Sequence, residues 1–508
     1  MGATGRQYKK RVIIICAVLS TLCLVFVLSL VRSNGTRHVI RTSPRPAGAE
    51  VSGGVVDTSL EGTTGKLFTG EAVRKYSESE PKNSPTMVGA SSKKGGPACE
   101  RWAVLTTIWE PSEAVRRQVK LHNWCLVIVS DIKTPTEYRT GWVEGEGNDK
   151  VVILTTDDQE NMNSPFVNTI PWNHFGRKNI GYLYAIEHGA SVIWDFDDDN
   201  MLKFWIPGAA PPGAPSLDAT VNMIVDNDAS DIDTLEPRGH NWPTFNPYPA
   251  LGAPALPMWP RGIPLVDIKK PQCSNTTIKG TKQPTKTVAV LQSLADVQPD
   301  VDAIFRVTMS TPRPFAFKRT DETRPLMIPA GVLTPYNAQA TLHFKSAFWA
   351  LLLPITVHGR VSDIWRSYIA QRLLWDCDLQ LGFVARPLVV HDRTEHNDLG
   401  DLDAERDLYM KSEHLVKFLG RWKGTKTTLI ERIEELWVAL YEHQYIEVKD
   451  VELLRYWLQS LHQAGYTFPE LKHRSIHVPT YTQFVRRGSS NDGRCKTQSS
   501  LSPYSLLN

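Results

Sequence analysis

Cysteine is scarce in this chain, and tryptophan is missing where it begins. Seven cysteines in 508 residues are too few for a disulfide-built scaffold, and the odd number leaves at least one without a partner in the chain. All 15 tryptophans lie at or beyond Trp102, so the first hundred residues are a different material from the rest. An excess of one charge is lacking too. Lys and Arg number 57 against 54 Asp and Glu, a formal +3, which gives no reason to expect nucleic acid as a partner. That sum has unlike parts: residues 1–97 hold 14 basic and 6 acidic residues (+8), which leaves 43 and 48 (−5) beyond them. At 41% apolar and 22% charged the composition is globular, with room for two or three domains at about 150 residues each.

The N-terminus reads as a signal anchor. Arg6, Lys9, Lys10 and Arg11 lie in a short tail (1–11), and the uncharged run Val12–Val31 has 20 residues without Pro or Gly. About 20 apolar residues span a bilayer as a helix, and neither the shorter apolar region nor the small-residue exit of a cleavable signal is evident. The basic flank stays cytoplasmic, which predicts a single-pass type II membrane protein held through residues 12–31, with its C-terminal domain lumenal. Residues 32–97 contain one Phe, one Tyr and no Trp. They read as a disordered stem, because they cannot bury enough apolar surface to offset ordering their backbone. Asn34 and Asn275 open Asn-x-Thr glycosylation acceptors. Five cysteines lie outside the span, Cys99, Cys125, Cys273, Cys377 and Cys495; an oxidising compartment permits two bridges, with the pairing open.

Order begins near Cys99. The runs WAVLTTI (Trp102–Ile108), CLVIV (Cys125–Val129), Val151–Leu154 and SVIWDF (Ser191–Phe196) are of strand type. Helical patterns run from Ser112, as N-cap, to Leu121 and from about Arg177 to His188, the second stopped by Gly189. Alternating strands and helices predict an α/β layer with parallel strands, and no repeat of 20–50 residues is visible. Residues 207–271 are rich in Pro and Gly and read as a functional loop or a mixed insertion. Order returns at 288–295 and 341–353. After Glu405 the pattern turns helical. Thr428-Leu-Ile-Glu431 fits a capping box for Ile430, Ile433, Trp437, Leu440 and Tyr441, and Asp450 caps a helix carrying Leu453, Leu454, Trp457, Leu458 and Leu461. The expected division is an α/β domain over 98–405, with a mixed sheet and flanking helices, and a helical extension with a frayed tail over 406–508.

The strongest chemical signal is DFDDDN, Asp195–Asn200, directly after an apolar strand. Adjacent carboxylates at a strand end repel unless some protonate or a cation joins them. Hard Mg²⁺ or Mn²⁺ favours such oxygens and can bridge the two phosphates of a nucleotide-sugar. The carboxyl end of a parallel sheet is also where open α/β folds take ligands. A solvated acidic turn is the plainer reading, weakened here by the absence of a lysine after the cluster until Lys203. Asp300 and Asp302, in QPDVDAIFRV, are a second acidic pair, read as capping and turning the chain rather than as shaping an acceptor pocket. Trp349, Trp365 and Trp375 share one block and read as core ahead of sugar-stacking faces.

The helix start FGRKNIGYLYA (Phe175–Ala185), about 20 residues ahead of the acidic cluster, pairs an (A/G)R-x-N-x-G pattern with a strand ending in D-x-D. This pairing resembles the nucleotide-sugar site of GT-A glycosyltransferases, whose fold is Rossmann-related. A wider resemblance runs over Arg101 to Trp422. The blocks WAVLTTIWEPSEAVRR, VIVSDIKTP, FGRKNIGYLYAIEHGA, DFDDDN, MWPRGIPL, DVDAIFRV, PYNAQATLHFKSAFWALLLPITVHGRVSDIWRSYIAQRLLW and DRTEHN are similar to the STELLO family of Golgi glycosyltransferase-like proteins.

The resemblance implies roles residue by residue. Asp197 and Asp199 would hold a Mn²⁺ or Mg²⁺ ion, with His391 or His396 as a further ligand. Asp198 would contact ribose or a metal-bound water, Asp131 the base or ribose, and Arg177 and Asn179 the nucleotide, with Gly181 allowing close backbone approach. Asp363, in SDIWR, would be the general base for an acceptor hydroxyl, or else it or Ser362 a helix N-cap. The implied function is a metal-dependent glycosyltransferase of the Golgi membrane, moving a sugar from a nucleotide-sugar donor to a glycan or protein acceptor. The alternatives are a non-catalytic scaffold that assembles or traffics another membrane glycosyltransferase, such as a polysaccharide synthase, and a nucleotide-sugar mutase, a generally soluble class that the anchor disfavours. Plant members of the family are longer and are implicated in cellulose synthase assembly or trafficking.

Overall fold

A computed structural model describes residues 97–139, 148–206, 214, 216–236, 244–253, 257–268, 277–309, 315–319, 324–391 and 397–472. The tail, the anchor, all but the last residue of the stem, Asn34, Asn275, His396, Cys273, Cys495 and the frayed tail lie outside these residues. Among the described residues no helix is long and apolar enough to cross a membrane.

The apolar runs become strands because both their faces are covered. Strands β1 (Arg101–Thr107), β2 (Cys125–Ser130), β3 (Val151–Leu154) and β4 (Val192–Asp195) pair in parallel in the order β3-β2-β1-β4. Every residue of β2 is buried. Helix α1 (Glu113–Val119) starts at Ser112, whose hydroxyl accepts from the Val115 N–H, as the sequence predicts. Helix α2 (Lys178–Glu187) is buried along nearly its whole length. It lies so close to the sheet that a Cβ on Gly181 would come within 2.7 Å of Val104 Cγ1 and 2.9 Å of Val129 Cγ2. That glycine serves helix–sheet packing rather than approach to a ligand. Gly189, at φ +89°, ends the helix as expected.

Beyond β4 the sheet turns mixed, more so than the parallel pattern of its first half predicts. Strands β6 (Ala229–Glu236), β7 (Thr277–Pro284), β8 (Val288–Gln292), β10 (Leu326–Ile328), β11 (Thr341–Phe344) and β12 (Gln380–Phe383) extend it as β4-β11-β8-β12-β10-β6-β7. β11 is antiparallel to both β4 and β8. A second sheet joins β5 (Asn200–Leu202), β13 (Val389–His391) and β9 (Ala295–Val297), with β13 in the middle. It places His391 opposite Asn200 and Val297, and so beside the acidic turn. The Pro- and Gly-rich segment is a mixed insertion carrying α3 (Leu217–Val225) and β6.

Helix α4 (Ala303–Thr308) precedes the long buried α5 (Gly359–Asp376), followed by α6 (Asp398–Ala404), α7 (Arg406–Arg421), α8 (Leu429–Glu442) and α9 (Val448–Gln463). Leu415, Trp437 and Trp457 of the last three belong to the same buried cluster as Trp102 and Val127 of the sheet, and the Trp457 indole N–H donates to the Trp349 carbonyl at 3.1 Å. Thr428 caps α8 as expected. Two details differ. Tyr441 is exposed, because it follows the inward-facing Leu440 by about 100° of helix rotation. Asp450 is not a cap: it lies in the first turn of α9, and its buried carboxylate accepts from the Ile355 N–H at 2.6 Å and from the Thr356 hydroxyl. Of the cysteines, Cys99 and Cys125 form a disulfide at the start of β1 and β2, and Cys377 is free and buried.

Candidate functional site

The site grows from the end of β4. Asp195, the last strand residue, is fully buried between two cations, with Lys178 Nζ at 2.7 Å and Arg366 Nη2 at 3.1 Å. Burial of an unpaired carboxylate here would be prohibitive, so the pairs are required for the strand to end inside the protein. Phe196 is buried, and the chain then turns through Asp197, Asp198 and Asp199, with Asn200 Oδ1 accepting from the Asp197 N–H at 3.2 Å. Lys178 Nζ also reaches Asp197 Oδ1 at 2.9 Å. Burial lowers the pKa of Lys178, but Asp195 and then Asp197 outweigh it and hold it above the ordinary lysine value. Burial raises Asp197 to about 7; Lys178 opposes that rise and the Asp199 charge adds to it.

His391 faces this turn from β13. Its Nδ1 lies 3.1 Å from the Gln298 carbonyl oxygen, which only accepts, so Nδ1 carries a proton. Its Nε2 is buried, 3.1 Å from Asp199 Oδ2, and makes no well-aligned hydrogen bond. Two carboxylates and one imidazole nitrogen on one cleft wall are a donor set that suits Mn²⁺ or Mg²⁺. Among the described residues, no three His, Cys, Asp or Glu side chains already converge as a metal cage. A cation here would draw in part on water or ligand oxygens.

The opposite wall is organised by Arg261. Its Nε and Nη2 hold Asp300 at 3.0 Å each, while Nη1 and Nη2 hold Asp363 at 3.1 and 3.0 Å. Burial raises the Asp300 pKa, but Arg261 overcomes that and brings it to about 2. The helix carrying Asp363 is capped by His358, so neither Asp363 nor Ser362 is its N-cap. Both Asp363 oxygens accept further bonds, from the Ile364 N–H at 2.9 Å and the Ala338 N–H at 3.2 Å. Between the walls lies a cleft of about 820 Å³, lined by Asp197, Asp199, His391, Asp363, Asp300 and Arg261, among others. That is the size of a ligand site for a molecule larger than a monosaccharide.

Charge in the cleft runs against phosphate. Among the described residues six Asp line it (197, 199, 300, 363, 398 and 401) against Arg261, Arg306 and Arg360. Each arginine is already engaged: Arg261 as described, Arg306 with Asp398 at 2.8 Å and Asp401 at 2.7 Å, and Arg360 with Glu405 at 2.5 Å.

Several sequence-predicted residues are placed elsewhere. Arg177 is buried with Nε on Gln159 Oε1 at 3.0 Å and Nη1 on the Ile170 carbonyl at 2.9 Å, and it stacks on Trp172 at 3.7 Å. Burial lowers its pKa to about 10. Asn179 exchanges two hydrogen bonds with the Leu353 backbone, at 2.9 and 2.8 Å. Asp131 accepts from the Asn173 and His174 N–H groups at 2.8 and 3.0 Å, clasping the end of β2 to the entry of α2. The side chain of Asp198 turns back to the Thr107 hydroxyl at the end of β1. Asp302 caps α4 and accepts from the Trp259 indole at 2.7 Å, as the capping reading expects, whereas its neighbour Asp300 lines the cleft. Trp349, Trp365 and Trp375 are core. Lys178, Arg261 and Arg366 are the functional neighbours that residue-type reasoning passed over.

An α/β sheet with its acidic strand end opening into a cleft, opposite a second carboxylate on a buried helix, is the general architecture of a ligand-binding α/β protein. Residues 360–497 match the family described as STELLO glycosyltransferases. It is 31% identical over 390 residues to "Probable glycosyltransferase STELLO2" and 30% identical over 385 residues to "Probable glycosyltransferase STELLO1", both of Arabidopsis thaliana. Each match takes in 75% of this chain and 47% or 46% of the relative; the chain spans about half the length of the curated relatives it matches. Among solved structures it is similar to the mannosyltransferase PcManGT from Pyrobaculum calidifontis in complex with GDP-Man and Mn²⁺, with a TM-score of 0.28 and 9% identity, over 77% of this chain and 92% of that one.

Proposed function

We propose that the chain is a glycosyltransferase that binds a nucleotide-sugar through a divalent cation held by Asp197, Asp199 and His391. It would act as a type II membrane protein of the Golgi, with the catalytic domain in the lumen. The observation that carries this reading is the charge distribution of the cleft. The three arginines that line it among the described residues are engaged with carboxylates, so a diphosphate would enter a net acidic site unless a cation came with it. When bound, such a cation offsets the charge of the departing diphosphate. Asp197 and Asp199 present oxygens on one wall, His391 presents Nε2, and Asp363 waits on the other as the group to take the acceptor proton. Asp131, Arg177 and Asn179 would act by fixing the wall behind the donor, since their polar atoms bind backbone and side chains of the fold.

A second reading, a non-catalytic scaffold for another membrane glycosyltransferase, is favoured by the state of Asp363, whose two oxygens accept four hydrogen bonds. The full chain, assayed for Mn²⁺-dependent donor hydrolysis over a panel of nucleotide-sugars, separates the two. Turnover that is lost in D197A/D199A and reduced in D363N supports the enzyme. Donor binding without turnover across donors and acceptors supports the scaffold, and no donor binding at all sinks both the metal-site and the nucleotide readings.

A further inference from the structure

We propose that Lys178 is a positioning residue for Asp197: a resident cation that holds one carboxylate oxygen so that the other faces the cleft. The inference rests on the cation site proposed above. Lys178 sits at the start of α2 with its ammonium fully buried and touches four acceptors: Asp195 Oδ1 at 2.7 Å, Asp197 Oδ1 at 2.9 Å, and the Phe196 and Ala338 carbonyls at 2.8 and 2.7 Å. An ammonium has three protons, and the Asp197, Phe196 and Ala338 oxygens take all three while Asp195 Oδ1 stands beside it as an ion-pair partner, so it has no freedom to turn. Two of these are main-chain oxygens on different segments, which fixes Nζ to the fold independently of any side chain. The other oxygen of Asp195 is held by Arg366, so the order Arg366–Asp195–Lys178–Asp197 is a continuous buried relay ending at the cleft.

Asp197 needs such a tether. It lies in a turn, its side chain is 30% exposed, and its carboxylate would otherwise choose among rotamers that face Asp199 or the cleft. With Oδ1 pinned, the ordering cost of presenting Asp197 to a cation is met during folding. Lys178 also offsets one charge beneath the acidic turn, which lets the site exist before a cation arrives.

Positioning and charge make opposite predictions, which gives the test. The full chain and the variants D195N and K178M/D195N are titrated with Mn²⁺ alone by calorimetry, and their folding is checked by thermal melting in EDTA. D195N keeps the Lys178–Asp197 contact. K178M/D195N has the net charge of the natural chain but lacks the contact, and relative to D195N it has lost a positive charge, which by electrostatics alone tightens cation binding. Positioning predicts the reverse: Mn²⁺ affinity in K178M/D195N at least tenfold weaker than in D195N. Equal or tighter binding overturns the proposal while leaving the cation site standing. Absence of Mn²⁺ binding by the natural chain overturns both, and the two failures are told apart by that first titration. If K178M/D195N does not fold, a structure of the natural chain with Mn²⁺ decides. Asp197 Oδ1 still on Lys178 supports the proposal, and a carboxylate swung off Lys178 with both oxygens on the ion refutes it.

Discussion

Arg261→Met is the most informative perturbation of the cleft. Arg261 is the shared cation of Asp300 and Asp363, and the three side chains are 6%, 17% and 6% exposed. Asp300, brought to about 2 from an ordinary 3.8, favours the folded state in its charged form by about 2 kcal/mol. Removing the common partner of a buried pair costs about 3–5 kcal/mol. The lower end applies here, because Asn337 Nδ2 stays on Asp300 at 2.7 Å and two backbone N–H groups stay on Asp363. Denaturant unfolding at pH 7 should therefore show R261M about 3 kcal/mol less stable. The sign with pH follows from the depressed folded-state value: the Asp300 contribution is present above about pH 4 and is lost as pH falls toward 2. R261M should lack that part of the acid transition. R261M/D300N/D363N, which removes all three charges, should recover most of the loss. A drop below about 1 kcal/mol for R261M, the range of an exposed ion pair, would refute the claim that Arg261 is a buried clamp.

Three further outcomes follow from other parts of the fold. Gly181→Ala should lower the thermal midpoint by an amount equivalent to about 1–3 kcal/mol, because its Cβ would overlap two valines beneath α2; an unchanged midpoint would contradict the packing role. Replacing Cys99 and Cys125 by Ser opens a bridge that spans 26 residues and should cost about 3 kcal/mol in denaturant unfolding. Asp450, raised by burial to about 6 from 3.8, stabilises most below about pH 4 and loses that contribution as pH rises through 6. Relative to the natural chain, D450N should therefore gain up to about 3 kcal/mol between pH 4 and 7; a gap that does not move with pH would count against that burial.

Strands β1 to β4 and helix α2 were legible because long apolar runs bounded by Gly, Ser and Asp leave few alternatives. The acidic turn was legible too, since an apolar strand running into DFDDDN has few other uses. Arg177 and Lys178 were not separable: consecutive helix residues point about 100° apart, and only the tertiary fold sends the first into the interior and the second under Asp197. Arg261 was invisible for another reason. It lies in a Pro- and Gly-rich segment without periodicity, and its partners are 39 and 102 residues away. Likewise nothing local marks Asp450 as the partner of Thr356, 94 residues distant, and the helix opens three residues earlier, at Glu447.

On the proposed function a diphosphate enters this cleft only with a cation, because the arginines that line it among the described residues are already paired. Calorimetric titration of a nucleoside diphosphate into the full chain, with Mn²⁺ and then with EDTA, tests it most directly. Binding is expected with Mn²⁺ and should disappear in EDTA and in D197A/D199A. Equal binding in EDTA, or binding unaffected by removing both aspartates, would contradict it.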